Sequence, residues 1–590
     1  MSGFGRREFM YLMASLGSMP IFANSHMRLS PQGGIKDYYK LKPFGNVRIL
    51  HMTDSHAQLM PVYFREPSVN IGLFSNKNVP PHIVGKYFLD YYHIKNNDRL
   101  TYAFTCVDFE KHARAIGRIG GFAHLKTVVD HLRGEFGKDK TLFLDGGDTW
   151  QGSWTALQTR GKDMVGALNL LGVDVCTGHW EFTYTEKEVL ENLKELKADF
   201  VAQNVFVKED ALMEGNVPVY DEDTGRAFKP YVMKTLGKAR VAVIGQAFPY
   251  TTIANPQRFI PDWTFGIKAE EMQALVNEIK KKEKPDAIIV VSHNGYDVDK
   301  KMAQVVSGID FIMGGHTHDG VPEAVPVKNK AGTTYVCNAG SNGKFLNVLD
   351  LDIKNGKVVD FKFTLLPIFP DVVPEDKEMK AYIEKVRAPY KKDLERVVAT
   401  TDVTLFRRGN FNGSFDQIIC DALRHVKGAD ISLSPGFRWG TSVIAGDKIT
   451  FEDLATQTAM TYPETYVREI DGKSIKNILE DVADNLFNPD PFYQQGGDMV
   501  RTGGISYTID PTQKFGKRIS NIRTLDGKPL DPNKKYKVAG WSTVNSKAPG
   551  EPVWETVENY LKNVKHIKKD LKVDTPEIVG IKDNKGIVKC

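Results

Sequence analysis

The feature that most restricts this chain is a rhythm that begins at about Asn46, in which short β-prone runs alternate with helix-like stretches. The runs are NVRILHM (46–52), KTLFLD (140–145), VDVCT (173–177), ADFVAQNV (198–205), ARVAVIGQA (239–247), PDAIIVVS (285–292) and IDFIMG (309–314). Alternation of this kind predicts an α/β or layered mixed fold.

At 590 residues and 41% hydrophobic, the chain has to divide its apolar residues between at least two cores, because single cores stop growing near ~250–300 residues. The character changes near residue 370, where PDVVPEDKEMKAYIEKVRAPYKKDLERVV is charged, helix-prone and interrupted by Pro389. It reads as a linker helix over 371–400 between a first domain at 45–370 and a second, α+β domain at 401–590. In the second domain, Ser414 with Gln417 predicts a capping box that opens an amphipathic helix. Lys+Arg of 78 against Asp+Glu of 73 leaves a formal +5 with no cluster upstream of the lysine-rich end. That balance argues against nucleic acid as a partner.

The first 25 residues, MSGFGRREFMYLMASLGSMPIFANS, place Arg6 and Arg7 before an apolar run from Phe9 to Ala23. The run is too short and too rich in Gly and Ser to span a membrane, and it fits a cleavable export signal. The Arg-Arg-Glu-Phe-Met string resembles a twin-arginine signal, which implies a periplasmic destination. No other segment reads as a membrane span.

The residues directly after these runs carry the chemistry. Asp54 and His56 come after 46–52, Asp148 after 140–145, His179 after 173–177, His293 after 285–292, and His316 and His318 after 309–314. A single histidine after a strand is most often a hydrogen-bonded structural residue. Two carboxylates and five imidazoles, all at the carboxyl ends of strands where α/β sheets gather their sites, predict a metal centre. Five cysteines, Cys106, Cys176, Cys337, Cys420 and Cys590, are too scattered for a disulfide framework or a cysteine-rich zinc site, so His and carboxylate must hold any metal. Seven ligands exceed the needs of one ion, and a carboxylate bridging two ions ~3.5–4 Å apart suits hydrolysis of a phosphoryl or sulfuryl group by a bridging hydroxide. Imidazole suits Zn, Fe or Mn, and shared carboxylates favour the harder Mn.

The strings DSH, GGDTWQG, GHWEF, SHNG and GHTH, in this order, resemble the calcineurin-type metallophosphoesterases. SPGFRWG, GDKITFEDL and TGGISYTIDP resemble the second domain of their 5′-nucleotidase branch. The resemblance implies a four-layer αββα metallophosphoesterase domain followed by a 5′-nucleotidase-type α+β domain. Carried over by position, Asp54, His56, Asp148 and His318 would hold one ion, and Asp148, His179, His293 and His316 the other.

The chain departs from the nucleotidase pattern at one place. Where that branch reads Gly-Asn-His-Glu-Phe-Asp, this chain reads Gly178-His179-Trp180-Glu181-Phe182-Thr183. His179 takes the place of a metal-binding Asn, and Trp180 with Thr183 replaces a His-Asp pair that handles the leaving group's proton. Indole has no basic nitrogen, so the leaving group must depart unaided, as a thiolate or persulfide does and an alkoxide does not. This departure, with DSHAQLMPVYFREPSVNIG, GRIGGFAHL and GHWEFTY, resembles the thiosulfohydrolases of the Sox sulfur-oxidation system. That resemblance implies two manganese ions, a cysteine S-thiosulfonate substrate on the SoxYZ carrier protein, transient contact with other Sox components, and sulfate as product.

In this reading Trp180 lines the wall beside the leaving sulfur, and Arg438 of SPGFRWG contacts the anion or forms a salt bridge at the domain interface. A 5′-nucleotidase or cyclic phosphodiesterase is the alternative within the same class, and a non-catalytic metal-containing docking module is the alternative outside it. Arg65 and Glu66 read as a solvated loop, His124 as a structural histidine within a helix, and Cys590 as a free thiol without a role. Replacing Arg6 and Arg7 with lysine should strand the precursor in the cytoplasm; normal export of that variant, followed by cell fractionation, would rule out the twin-arginine reading.

Overall fold

A computed structural model of the chain describes residues 39–590 apart from 96 and 216. The signal segment lies outside the described residues. Two six-stranded mixed sheets build the first domain. One runs in the order Lys357–Pro367, Phe345–Lys354, Val47–Met52, Thr141–Asp145, Val175–Cys176 and Asp199–Phe200. The other runs Gly320–Asn329, Gly332–Ala339, Phe311–Gly314, Ala287–Ser292, Ala239–Gln246 and Tyr231–Leu236. Val47–Met52 lies parallel to Thr141–Asp145, and Ala287–Ser292 lies parallel to both of its neighbours; the edge strand Asp199–Phe200 is also parallel, while the other three edge strands pair antiparallel.

Side-chain alternation along Ala287–Ser292 shows how the layers stack. Ile289 and Val291 join the large core that also holds Ile49, Leu142 and Leu144 of the other sheet. Ile288 and Val290 point the opposite way, into a second core with Met272, Leu275 and Ile279 of the helix Ala269–Lys282 and Met302 of the helix Tyr296–Val305. A strand buried on both faces is apolar throughout, and this one is fully buried along its length. Of the two polar residues in Val47–Met52, Arg48 and His51, Arg48 forms a two-pronged ion pair with Asp350 at 2.6 and 2.7 Å and donates to Leu132 O. Buried charge is tolerated where each donor has a partner.

The helix Lys377–Arg387, then a 3₁₀ turn Ala388–Tyr390 at Pro389, leads into the second domain. There a four-stranded sheet, in the order Thr465–Asp471, Lys535–Trp541, Ile431–Ser434 and Arg501–Gly503, packs against the helix Ser414–Lys427 and its neighbours. No helix among the described residues is long and apolar enough to cross a membrane.

Several expectations need correction. The run 198–205 is interrupted, with strand only at Asp199–Phe200 and Val205–Val207. Ser414 is the first residue of its helix rather than the cap. Gly413 caps the helix, and its N–H donates to the Asp416 carboxylate at 2.9 Å, an ionised acceptor stronger than the Gln417 amide. Arg65 and Glu66 are buried, not solvated. The Arg65 guanidinium sits 4.1 Å from the Phe406 ring centroid, and Glu66 accepts from Lys344. Cys590 is no free thiol, since it forms a disulfide with Cys106. The antiparallel strands from Gly320 to Pro367 escaped the pattern reading because their polar edges break the apolar runs. His124 sits in the helix Phe122–Phe136 with Nδ1 2.7 Å from Val373 O.

Candidate metal centre

The parallel strands of both sheets deliver their carboxyl ends to one place. Asp54 and His56 follow Val47–Met52, Asp148 follows Thr141–Asp145, and His179 follows Val175–Cys176. From the second sheet, His293 follows Ala287–Ser292, and His316 and His318 follow Phe311–Gly314. Backbone hydrogen bonds stitch these loops together: Asp54 N to Gly147 O and His56 N to Asp148 O at 2.9 Å, and His293 N to Gln246 O at 2.8 Å.

All seven candidates named from the sequence meet there. Asp54, His56, Asp148 and His318 offer ligand atoms within 4.8 Å of one another, and so do Asp148, His179, His293 and His316. Asp148 belongs to both groups. All seven residues are buried. His56 Nε2 lies 3.0 Å from His318 Nε2, and His293 Nε2 lies 2.9 Å from Asp148 Oδ2.

Backbone conformation supports a functional cause for this clustering. Asp54, His56, Asp148, His316 and His318 have φ of 52°, 45°, 58°, 74° and 61°, in the left-handed region that non-glycine residues seldom occupy. Such strain persists where the surroundings over-determine it, as they do at ligand clamps. Gly315 allows the close approach, since a Cβ there would meet Thr53 Oγ1 at 2.1 Å.

Two observations test whether metal ions fit. First, His179 Nε2, both nitrogens of His316 and His318 Nδ1 are buried with no hydrogen-bond partner among the described residues, although buried polar atoms are rarely left so. Second, burial opposes charge on His293, yet the Asp148 and Asp54 carboxylates hold its pKa up at about 10. The carboxylates demand a cation, which the imidazolium supplies here and a bound metal ion would supply in its place. Backbone carbonyls fix two rings in the manner of ligands: His293 Nδ1 lies 2.6 Å from Gly146 O and His56 Nδ1 lies 3.2 Å from Gln151 O, leaving Nε2 of each for the centre. These groups can hold two metal ions.

Glu181 has a part that the sequence did not reveal. Buried beneath the centre, its carboxylate accepts the backbone N–H of Asp148 at 3.1 Å, Thr149 at 2.7 Å, Trp150 at 3.3 Å and His179 at 2.8 Å. One side chain thus holds the loops of two candidate ligands in register. Pattern reading finds groups that could touch a metal, not an acceptor that gathers main-chain donors behind them.

Of the aromatic residues beside the centre, the sequence pointed to Trp180 alone, although it also carried a signal for Phe248. Phe248 follows the strand Ala239–Gln246 as the histidines follow theirs, and its ring centroid lies 4.1 Å from that of His179 and 4.2 Å from that of His316. Trp180, only 5% exposed, meets Phe437 and Trp439 edge-on at 5.7 and 5.4 Å, and Trp439 stacks on His56 at 5.1 Å. With Tyr250 these rings line a cleft of about 630 Å³ that opens on Asp148, His179, His316 and His318. Arg438 reaches the same cleft, where Nη1 donates to His316 O at 3.2 Å and Nε lies 3.7 Å from Asp498 Oδ1. Thr183 Oγ1 lies 2.6 Å from Thr461 Oγ1. The second domain therefore closes the site.

Comparison with known proteins agrees with this architecture. Residues 397–555 match the family described as 5′-nucleotidase, C-terminal domain. The structure of the Thermus thermophilus sulfate thiohydrolase SoxB in complex with glycerol superposes with a TM-score of 0.84 and 31% identity, covering 92% of this chain and 98% of that one. UshA of Yersinia enterocolitica is 25% identical over 501 residues, covering 75% of this chain and 84% of that protein. The trifunctional nucleotide phosphoesterase YfkN of Bacillus subtilis is 27% identical over 441 residues, which is 68% of this chain but 29% of that longer protein.

Elemental analysis should find two metal ions per chain, lowered by His316→Ala. Glu181→Gln places amide hydrogens against main-chain donors and should weaken metal retention on dialysis by ~10–100-fold, the range for partners that orient ligands. Full metal retention by Glu181→Gln would show that the loops hold themselves.

Proposed function

Because the chain belongs to the SoxB family, on the 5′-nucleotidase branch of the calcineurin-type metallophosphoesterases, we propose that it is a thiosulfohydrolase. In this reading one water adds to the terminal sulfur of a cysteine S-thiosulfonate, and the bond from that sulfur to the carrier's sulfur breaks. Sulfate and a carrier persulfide leave, and two protons pass to solvent. The carrier is SoxYZ, other Sox components are transient partners, and the place is the periplasm, reached by the twin-arginine route. The ions are two manganese, with zinc or iron compatible with the same imidazoles.

When bound, the ions supply a nucleophile made from water at neutral pH and a clamp for the sulfonate oxygens. The chain's own residues do the rest. Asp148 belongs to both groups of ligands and fixes their spacing, and Glu181 fixes Asp148 and His179 through their backbone N–H groups. Arg438, held by His316 O and Gly497 O, brings a permanent positive charge to the cleft that receives the anion. Pre-oriented charge in a site closed to water stabilises a developing oxyanion without reorganisation.

One observation carries the choice of substrate. Where the nucleotidase branch has an imidazole paired with a carboxylate, an indole packs against Phe437 and Trp439, and Thr183 is engaged with Thr461. Neither side chain titrates near neutral pH. A persulfide leaves without a proton donor; the alkoxide of a nucleoside does not. The second reading, a 5′-nucleotidase or phosphodiesterase, draws support from the stacked pair Phe437 and Trp439, whose ring centroids are 4.3 Å apart and whose planes differ by 25°. Such a wall could receive a nucleobase.

The double variant Trp180→His, Thr183→Asp separates the two. General acid-base groups are worth ~10²–10⁴-fold, so at equal metal content the variant should gain on nucleoside monophosphates by an amount in that range and gain little on the thiosulfonate. An efficient wild-type nucleotidase, or a metal-replete double variant with no gain on phosphate esters, would overturn the leaving-group argument.

A further inference from the structure

The last residue of the chain is covalently tied to the first domain. Cys590, exposed, is bonded to the buried Cys106, which lies between the helices Asp98–Phe104 and Phe109–Ile116, across a sequence separation of 484. Between the short strand Glu577–Ile578, paired with Ile505–Ile509 of the second domain, and Cys590 runs a strap of chain. The strap crosses back to the irregular segment 68–85 of the first domain and clasps it through its backbone. Asn70 N donates to Gly586 O at 2.8 Å, Val84 N to Lys585 O at 3.1 Å and Val588 N to Ser68 O at 2.9 Å. Side chains add to the clasp: Asn584 donates to Gly72 O at 2.8 Å, Lys77 to Lys582 O at 2.9 Å and Asn78 to Asp583 O at 3.0 Å. Val588 fills the space over Gly85, where a Cβ would come within 2.6 Å of it.

The clasped segment continues to the metal centre. Residues 70–76 with Pro81 and His82 form one wall of a cleft of about 910 Å³ that His316 and Arg438 also line. Asn410 of the second domain receives the same segment. Its N–H donates to Val69 O at 3.1 Å, its Oδ1 accepts Ile71 N–H at 2.7 Å, and its Nδ2 donates to Asp498 Oδ1 at 3.2 Å. Asp498 belongs to the loop whose Gly496 lies against His316, since a Cβ on Gly496 would come within 1.8 Å of His316 Nε2. Segment 68–85 contains only a single 3₁₀ turn at Phe74–Asn76 and no strand of a named sheet. Loops outside the sheets lie toward the low-stability end of local opening, below the core strands.

We propose that Cys106–Cys590 is a thiol-sensitive fastening: closed, it makes the strap a brace that fixes the cleft wall 68–85 and the domain junction at Asn410. Opened, it releases both while the sheets stay folded. Opening requires a dithiol reductant. A thiolate attacks the sulfur of Cys590, the exposed residue of the pair, Cys106 leaves as the thiolate and takes a proton, and the second thiol of the reductant displaces Cys590. Two electrons pass from the dithiol, which becomes a disulfide, and the protein gains two thiols. Oxidising compartments favour the closed form. The proposal does not depend on the substrate assigned above.

Hydrogen exchange on the full-length protein, with and without dithiothreitol, tests it. Non-reducing digestion should yield one peptide pair linked through Cys106 and Cys590. On reduction, the amides of Asn70, Val84 and Val588, and of Met499, whose N–H donates to Asn410 O at 3.0 Å, should exchange ~10-fold faster or more, as local opening requires, while those of Ile49 and Leu144 stay protected. Cys590→Ser should reproduce the reduced pattern without reductant. Absence of the linked peptide, unchanged exchange at Asn70 and Met499, or loss of protection that spreads to Ile49 and Leu144 would each overturn the proposal.

Discussion

Everything at the centre depends on a carboxylate that cannot be left without a cation. Asp148 is buried, and its oxygens lie 2.9 Å from His293 Nε2 and 3.2 Å from His179 Nδ1. Desolvation alone would push its proton affinity up, yet the neighbouring imidazoles hold its pKa well below the usual carboxylate range. An ionised acid in so dry a place stands only if positive charge surrounds it. The left-handed backbones of Asp54, His56, Asp148, His316 and His318 are the conformational cost of aiming five side chains at that point. Glu181 and the stitched loops offset it.

A two-sheet sandwich makes that convergence possible. Parallel strands from two facing sheets end on the same side, so ligands that are far apart in sequence become neighbours without long loops. The second domain then gives the centre its character. Trp439 stacks on His56, Arg438 grips the carbonyl of His316, and Thr461 occupies the hydroxyl of Thr183. The first domain can assemble the ligands, while the apolar wall comes from both domains and the Arg438 guanidinium from the second.

Much of this was legible in the sequence, for a physical reason. Strands buried on both faces are written as apolar runs, and residues at their carboxyl ends are confined to a few positions; so the runs 46–52, 140–145 and 285–292 and the seven candidate ligands could be named in advance. Groups that act at second hand were hidden. Glu181 works through main-chain N–H donors, which no residue pattern records. Phe248 obeys the strand-end rule but carries no ligand atom and so drew no notice. The strap from Glu577 to Cys590 pairs with residues some five hundred positions away, and Cys590 looked solitary because separation in sequence says nothing of distance. Edge strands with one polar face, such as Gly320–Asn329, were lost for want of a continuous apolar run.

The central claim is that this centre breaks a sulfur–sulfur bond on a carrier cysteine rather than a phosphate ester. The most direct measurement incubates manganese-loaded protein with carrier bearing cysteine S-thiosulfonate and follows sulfate by ion chromatography, beside a parallel incubation with a nucleoside monophosphate followed for phosphate. The account predicts one sulfate per thiosulfonate, abolished by removing the metal, with phosphate release far slower. Rapid phosphate release with no sulfate above the protein-free control would contradict it.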